Sequence, residues 1–592
     1  MKKLIRINMN VVSAVSESVP DSYDMLGGKS LTSRIVFDEV DPLCDPLGPY
    51  NKLVVAPGLL GGTQVPCSGR LSVGGKSPMT GGIKESNAGG TAARALAKLG
   101  VKAIILEGKS ESGQWWVLKI SSDSVALLPA DDLIGKGNYE TVRLLRERFG
   151  PKCAVMSIGQ AGEQGMAAAS IAVSTSEGYA SRHCGRGGMG AVMGSKGIKA
   201  IVIDDSNATE KDALCEIADE AEFRSACKEW SKELIATKSL LTNLGTTGVL
   251  GIVNKLGSLP TQNFRRGQFE FSEEICGEKL KATVLERGGK TGHACSAGCV
   301  IRCSNIYKDR DGEYLTSGLE YETIVLMGSN LLIHDLDVIA TLDRMCDDFG
   351  LDTIDTGGAI GVAMEAGLLP FGDGEKAILL LSEVGKGSII GKVIGQGALL
   401  TAKVLNVTHV ASSKGQQLAG YDPRGFKGTG VAYATSPMGG DHTAGNMLPG
   451  RGAWRGIEMN SQKENQIMAS VDVQYMTAAL DSLGLCIFTG PVPESMKWIA
   501  KIMTFAFGRT FSARDVVQLG IENINTEIEF NKRAGIKNST HRMSEFIYKE
   551  PLMPNGFIFD LDKREVEEAL ELENGYVYGN GFLETYSSVE LE

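Results

Sequence analysis

The chain has 592 residues, more than one hydrophobic core usually organises, so two to four domains are expected. Hydrophobic residues at 43%, charged residues at 22% and a net charge of -11 describe an ordinary soluble globular protein. That balance argues against nucleic acid as a partner and suits a cytoplasmic enzyme, and no stretch approaches the roughly 18 apolar residues of a membrane span.

Along the chain, Lys2-Lys3-Leu4-Ile5-Arg6-Ile7-Asn8 reads as a strand rather than a signal peptide, because Arg6 and Asn8 interrupt the apolar run. Residues 1 to about 205 alternate β-like runs with glycine-rich turns. Residues 53–56, 101–106 and 198–203 are the clearest strands. Three turns stand out: Pro57 to Thr63, Ser86 to Gly90 before a helix, and Gly185-Arg186-Gly187-Gly188-Met189-Gly190. Small residues leading into a helix N-terminus, with Arg70 and Arg186 at hand, suit phosphate. No Walker motif is present; any one of these loops reads as a structural turn, and the three together tilt toward a phosphorylated cofactor.

A charged stretch near 208–235 (Glu210, Lys211, Asp212, Glu216) marks a boundary. Three domains are expected: 1–208, rich in strands; 209–415, mainly helical; and 416–592, mixed loops and helices. The tail beyond about 545 reads as loop followed by a solvated helix.

Of twelve cysteines, Cys44, Cys67, Cys153, Cys184, Cys215, Cys227, Cys276 and Cys346 are scattered singly and are expected to be buried free thiols. Cys295, Cys299 and Cys303 are clustered, which indicates a metal site in a reducing compartment rather than a disulfide framework. Three soft thiolates in one loop, completed by a distant fourth, suit an iron–sulfur cluster. Cys486 is the candidate fourth ligand. Zinc is the alternative, with His293 beside the loop as a further possible ligand.

Glu320 and Glu322 precede the apolar run Ile324-Val325-Leu326-Met327, and a carboxylate entering such a run is a candidate general base. His442 lies in the glycine-rich Gly439-Gly440-Asp441-His442-Thr443, where an imidazole can donate a proton.

Two hexapeptides share one design: Asp347-Asp348-Phe349-Gly350-Leu351-Asp352 and Asp481-Ser482-Leu483-Gly484-Leu485-Cys486. Each follows a stretch with helical apolar spacing. Gly fits the left-handed position after a helix and the next Leu its hydrophobic contact. A carboxylate in that last turn opposes the helix dipole, so something should offset it, such as a ligand rich in N–H donors; the alternative is two ordinary helix C-caps.

Taken together these stretches resemble the aldehyde ferredoxin oxidoreductase family of tungsten enzymes along nearly the whole chain. The resemblance runs from Asn51-Lys52-Leu53 through Lys76-Ser77-Pro78, Arg186 to Lys196, Glu320-Tyr321-Glu322 and Gly350-Leu351-Asp352-Thr353, to Tyr421-Asp422-Pro423-Arg424-Gly425 and Asp481 to Cys486. It implies an α+β fold, with an N-terminal β-rich domain seating two pterins, followed by two mainly helical domains. It implies a tungsten (or molybdenum) bis-pyranopterin, one [4Fe-4S] cluster and a magnesium bridging the pterin phosphates. Carried over residue by residue, the resemblance makes Asp347, Asp352 and Asp481 acceptors for pterin N–H groups, with backbone around Gly350, Leu351 and Leu485 supplying other bonds. Arg70, Asn87, Arg186 and Gly187 match positions near the phosphates, and Glu322 and His442 match positions beside the metal. Cys295, Cys299, Cys303 and Cys486 would hold the cluster, although the first gap is three residues where the family has two, which leaves His293 as a substitute for Cys295. The implied reaction is aldehyde oxidation to a carboxylic acid, with electrons leaving to ferredoxin or a ferredoxin-like small subunit in a homo- or hetero-oligomer. The rivals are a reductase for acyl or aromatic thioesters on the same fold and an iron–sulfur electron carrier without a competent metal centre.

Overall fold

The computed structural model describes residues 2–110, 113–209, 213–448 and 456–571. Glu210, Lys211 and Asp212 of the charged stretch, and the tail from 572, lie outside the described residues.

The first six strands are β1 (Lys3–Asn8), β2 (Ser13–Ser18), β3 (Leu53–Pro57), β4 (Leu71–Lys76), β5 (Ile83–Ala88) and β6 (Val101–Glu107). They form one sheet in the order β2-β1-β6-β3-β4-β5. The next six are β7 (Trp116–Ser121), β8 (Val125–Pro129), β9 (Ala154–Ser157), β10 (Ile171–Val173), β11 (Arg182–Cys184) and β12 (Ile198–Asp204), in the order β8-β7-β12-β9-β10-β11. Adding six to each strand of the first sheet reproduces the second. Directions agree as well, since β1–β6 and β7–β12 are the parallel pairs and the other neighbours are antiparallel. Each second strand is followed by a twelve-residue helix, Gly28–Glu39 in one half and Asn138–Phe149 in the other. The runs expected as strands at 53–56, 101–106 and 198–203 are β3, β6 and β12. β3 and β4 are buried throughout and β6 nearly so, as fits strands covered on both faces.

Beyond residue 213 the chain is mainly helical, which completes the expected α+β fold. Two small antiparallel sheets interrupt it: a two-stranded pair, Ser412–Ser413 with Gln416–Gln417, and a three-stranded sheet of β13 (Lys290–His293), β14 (Ser304–Lys308) and β15 (Tyr314–Ser317). Lys290-Thr291-Gly292-His293 lacks any alternating apolar pattern, so the first strand of the three-stranded sheet leaves no trace in the periodicity. Its first connection, residues 294–303, is the cysteine loop, pinned at its base where His293 pairs with Ser304.

The helices Leu336–Phe349 and Gln466–Leu483 precede the two hexapeptides. Both end on a left-handed glycine, Gly350 at φ 74° and Gly484 at φ 78°. Leu351 N–H donates to Cys346 O at 2.8 Å and Leu485 N–H to Leu480 O at 2.9 Å, the six-to-one bond of a Schellman turn. A single large apolar cluster joins these helices to Leu59, Leu60 and Val65 of the N-terminal half. Among the described residues no single helix is long and apolar enough to cross a membrane.

Candidate active site and cluster site

The two hexapeptides dock on the two sheets by matching backbone contacts. Gly58, just after β3, lies so close to the second motif that a Cβ would stand 2.1 Å from Gly484 Cα. Gly159, just after β9, meets the first motif in the same way, with a Cβ 2.3 Å from Phe349 O. Arg70 N–H donates to Gly484 O at 3.0 Å, and Ser170 N–H donates to Gly350 O at 2.9 Å. The last residue of each motif is held alike: Cys486 N–H donates to Cys67 O at 3.0 Å and Asp352 N–H to Ala168 O at 2.9 Å. Both leucines, Leu351 and Leu485, are buried beneath the turns.

Asp347, Asp352 and Asp481 are also buried. Asp481 Oδ1 accepts from Asn87 Nδ2 at 3.1 Å, and Asn87 Oδ1 accepts from Arg70 Nε at 2.8 Å. Asp347 accepts from Tyr139 OH at 3.1 Å and lies 3.1 Å from His183 Nε2. Burial, reinforced by nearby Glu85, holds the Asp481 carboxyl well above the ordinary carboxylate range, and N–H donors from a ligand would relieve that cost.

Arg186 organises the space between the motifs. Its guanidinium donates to Asp352 at 3.2 Å, to Asp355 at 3.3 Å and to the carbonyls of Gly440 and Gln417. The Arg70 guanidinium, by contrast, donates to Asn87 alone among the described residues, which leaves it more donor capacity for a ligand than Arg186 has. Gly187 O accepts from Ser77 Oγ at 2.7 Å, which fixes the third glycine-rich turn. Strand β5 contributes Lys84, which pairs with Asp441, and Asn87, so one strand reaches the networks of both motifs. Burial pushes the Asp441 carboxyl up, but Lys84, Arg186 and His442 outweigh it and hold the group well below its ordinary range.

His442 follows Asp441 in a short turn, and its Nε2 stands 3.4 Å from Glu322 Oε1. Glu322 lies in the first turn of the helix Tyr321–Met327, while Glu320 caps it and accepts from Thr246 Oγ1 at 2.6 Å. The two carboxylates thus point to different surroundings, as a helix requires of residues two apart. Glu322 Oε2 accepts from Gly420 N–H. Burial raises its carboxyl above the ordinary range, against the pull of His442, the Gly420 amide and Arg186.

Several buried polar atoms here lack a hydrogen bond: Glu322 Oε1, His442 Nδ1, both amide atoms of Gln417, and Tyr433 OH. Unpaired buried polar groups are rare in native proteins, and so many around one Arg186-centred network indicate a polar ligand as their partner.

The cysteine loop meets the end of the second motif. Cys295, Cys299, Cys303 and Cys486 pack in one cluster with Ile301, Val300 and Phe488. Cys67, expected to be an isolated buried thiol, joins them. Its backbone, at φ 60°, bonds Gly298 O on one side and Cys486 N–H on the other. The only hint in the sequence is its position three residues before Arg70. His293 is turned away, with Nε2 3.0 Å from Glu177, so Cys295 rather than His293 faces the other thiols. Burial pushes the Cys486 thiol up to about 12, so a thiolate there needs a cationic partner. Among the described residues no group of three or more His, Cys, Asp or Glu side chains is set to hold a single metal ion.

Residues 4–205 match the family model described as the N-terminal domain of aldehyde ferredoxin oxidoreductase, and residues 225–572 match the one described as its domains 2 and 3. The chain belongs to the aldehyde ferredoxin oxidoreductase family. The tungsten-containing aldehyde ferredoxin oxidoreductase of Pyrococcus furiosus is 32% identical over 581 residues, covering 94% of this chain and 92% of that one. Its counterpart from Pyrococcus abyssi is 33% identical over 586 residues with the same coverage. The WOR-like subunit of an aliphatic sulfonate oxidoreductase from Pyrococcus furiosus is 27% identical over 467 residues, 72% of each chain. A solved structure titled as the active site complex of benzoyl coenzyme A reductase with 1,5-dienoyl-CoA superposes with a TM-score of 0.79 at 20% identity, covering 97% of this chain and 94% of that one, and shows a common fold. This is a family of tungsten oxidoreductases, and membership implies a tungsten pterin. The residues present fit that group: paired buried carboxylates, unpartnered polar atoms between them, and cationic Arg70 nearby.

Proposed function

We propose that this chain oxidises an aldehyde to a carboxylic acid at a tungsten (or molybdenum) bis-pyranopterin and passes electrons through one [4Fe-4S] cluster to ferredoxin or a ferredoxin-like subunit. The observation that carries the reading is the Glu322–His442 pair, 3.4 Å apart, with one carboxylate oxygen and one ring nitrogen lacking a hydrogen bond beside the Arg186 network. In the net reaction the aldehyde carbon gains an oxygen from water and releases two electrons and two protons. The bound tungsten pterin supplies the two-electron acceptor.

The side chains handle substrate and protons. Glu322 Oε1, raised in pKa by burial, takes the proton of the attacking water. His442 Nδ1 donates a hydrogen bond to the aldehyde oxygen, where negative charge develops, and Nε2 then receives the proton from Glu322. The buried rings of Tyr321, Tyr421 and Tyr433 exclude bulk water. Asp347, Asp352 and Asp481 would accept from pterin N–H groups, and Arg70 and Asn87 would lie on the phosphate side of the cofactor, where a magnesium would balance charge. Cys295, Cys299, Cys303 and Cys486 would hold the cluster on the second-motif side, close to Arg70, whose charge both Cys486 and Cys295 feel.

Anaerobically purified protein should contain about four irons and one tungsten or molybdenum per chain and reduce viologen with aldehydes. Zinc without iron sinks the proposal. Turnover of an acyl or aromatic thioester with none of any aldehyde would move it to the reductase reading.

A further inference from the structure

The topological repeat of the two sheets assigns a residue at the first motif that neither the glycine-rich turns nor the motif pattern indicates. In the first sheet Leu71 pairs with Ala88 and Ser72 with Asn87. In the second Ile171 pairs with Cys184 and Ala172 with His183. The registers superpose, so His183 occupies the place of Asn87 and Ser170 the place of Arg70. The hydrogen bonds agree independently. Arg70 and Ser170 each give their N–H to the glycine carbonyl of the adjacent motif. Arg70 holds Asn87 at 2.8 Å and Ser170 Oγ holds His183 Nδ1 at 2.8 Å. Asn87 then reaches Asp481 at 3.1 Å, and His183 Nε2 stands 3.1 Å from Asp347.

We propose that His183, oriented by Ser170, is the first-motif counterpart of Asn87: a positioning residue that holds Asp347 for the pterin bound on the second sheet. This rests on the bis-pterin reading above. His183 Nε2 faces two acceptors, Asp347 and the Ala180 carbonyl at 3.0 Å, so that nitrogen carries the hydrogen. Together with Tyr139 OH it fixes the carboxylate through two donors. A carboxylate has about four acceptor sites, which leaves two for ring N–H groups of a ligand. The cysteine cluster is on the opposite motif, so the role of His183 is confined to the pterin.

The test uses anaerobically purified holoenzyme of the parent, His183→Ala, His183→Asn and Asn87→Ala. Tungsten and iron are measured by mass spectrometry, and pterin is followed as its fluorescent oxidation product during dilution into cofactor-free buffer. Outer-shell partners typically change metal affinity 10–100-fold, so His183→Ala should release pterin and tungsten about tenfold faster or more, with iron unchanged. Asn87→Ala should match it. His183→Asn, which installs the amide that the other half uses, should restore most of the retention. Release from His183→Ala at the parent rate overturns the proposal, as does a His183→Asn variant no better than His183→Ala. If His183→Ala does not fold, His183→Asn against the parent decides: slow release supports the assignment and fast release overturns it. A parent chain without pterin overturns the bis-pterin reading and this one with it, whereas a pterin-loaded parent and an indifferent His183→Ala overturn this one alone.

Discussion

Strands β1–β6 and β7–β12 repeat one topology, and each set seats one hexapeptide through a close-packed glycine and a backbone N–H. What lies past the motif differs. On the first sheet the motif ends in Cys486, beside Cys67 and the thiols of residues 295–303. On the second it ends in Asp352, which pairs with Arg186 and caps the next helix through Ile354 N–H. A duplicated backbone scaffold can therefore place two equivalent carboxylates, Asp347 and Asp481, while a single position decides what each half connects to. One half opens onto soft ligands fit for electrons. The other opens onto a buried network of Arg186, Asp355, Asp441 and Lys84, fit for holding charge and protons.

The largest effect should come from removing the residue that makes the halves unlike. Cys486→Ala should lose the cluster iron and abolish aldehyde-dependent ferredoxin reduction while tungsten is retained. Full iron content in that variant would move the fourth ligand to Cys67, the remaining thiol in the cluster.

Next comes the acid–base pair between the halves. Glu322→Gln and His442→Ala should each lower turnover by about 10²–10⁴-fold with metals and pterin in place. Because burial raises Glu322, activity that needs its ionised form should fall as pH drops through a value above the ordinary carboxylate range. Glu322→Gln should abolish that acid limb; its persistence would assign the base elsewhere. Glu320→Gln, bonded to Thr246, should change turnover much less.

The equivalence of the two seats can be broken one at a time. Gly58→Ala and Gly159→Ala each drive a Cβ into motif backbone, an overpacking worth about 1–3 kcal/mol. Both should lower the thermal unfolding midpoint, and iron should suffer only in Gly58→Ala. Asp481→Ala and Asp347→Ala leave ligand donors unpaired at about 1–3 kcal/mol each and should weaken pterin retention equally. Unequal losses would show that the halves do not share the load.

The smallest effect concerns Asp355, raised to about 7 by burial and by Asp352. A carboxyl whose folded pKa lies above its unfolded value of 3.8 binds a proton in the native state that the unfolded chain has released. Its stabilising contribution is complete below about 3.8 and is lost as pH rises through about 7. In cofactor-free protein, Asp355→Asn should flatten the decline in unfolding midpoint between those values. An unchanged slope would assign it to another group.

Features written in contiguous residues are legible in the sequence by itself. The glycine–leucine turns at Gly350 and Gly484 follow from local backbone rules and hold as Schellman caps. Apolar runs mark β3, β6 and β12, and the carboxylate opening the run at Ile324 is largely withdrawn from solvent with them. The trio Cys295, Cys299 and Cys303 is evident from spacing, and Cys486 joins it only because the hexapeptide it ends stands out. The partners that finish the site are not legible there. Asn87 meets Asp481 across 394 residues, Lys84 meets Asp441 across 357, and Tyr139 meets Asp347 across 208. Cys67 and His183 carry no local signal, because what places them is the register of a sheet and the docking of a distant helix end. Gly58 and Gly159 matter only where another backbone presses against them. Local sequence determines which turn or strand a segment can form; which acceptor meets which donor is decided by how the two sheets and the two helix ends pack, and only the folded chain contains that information.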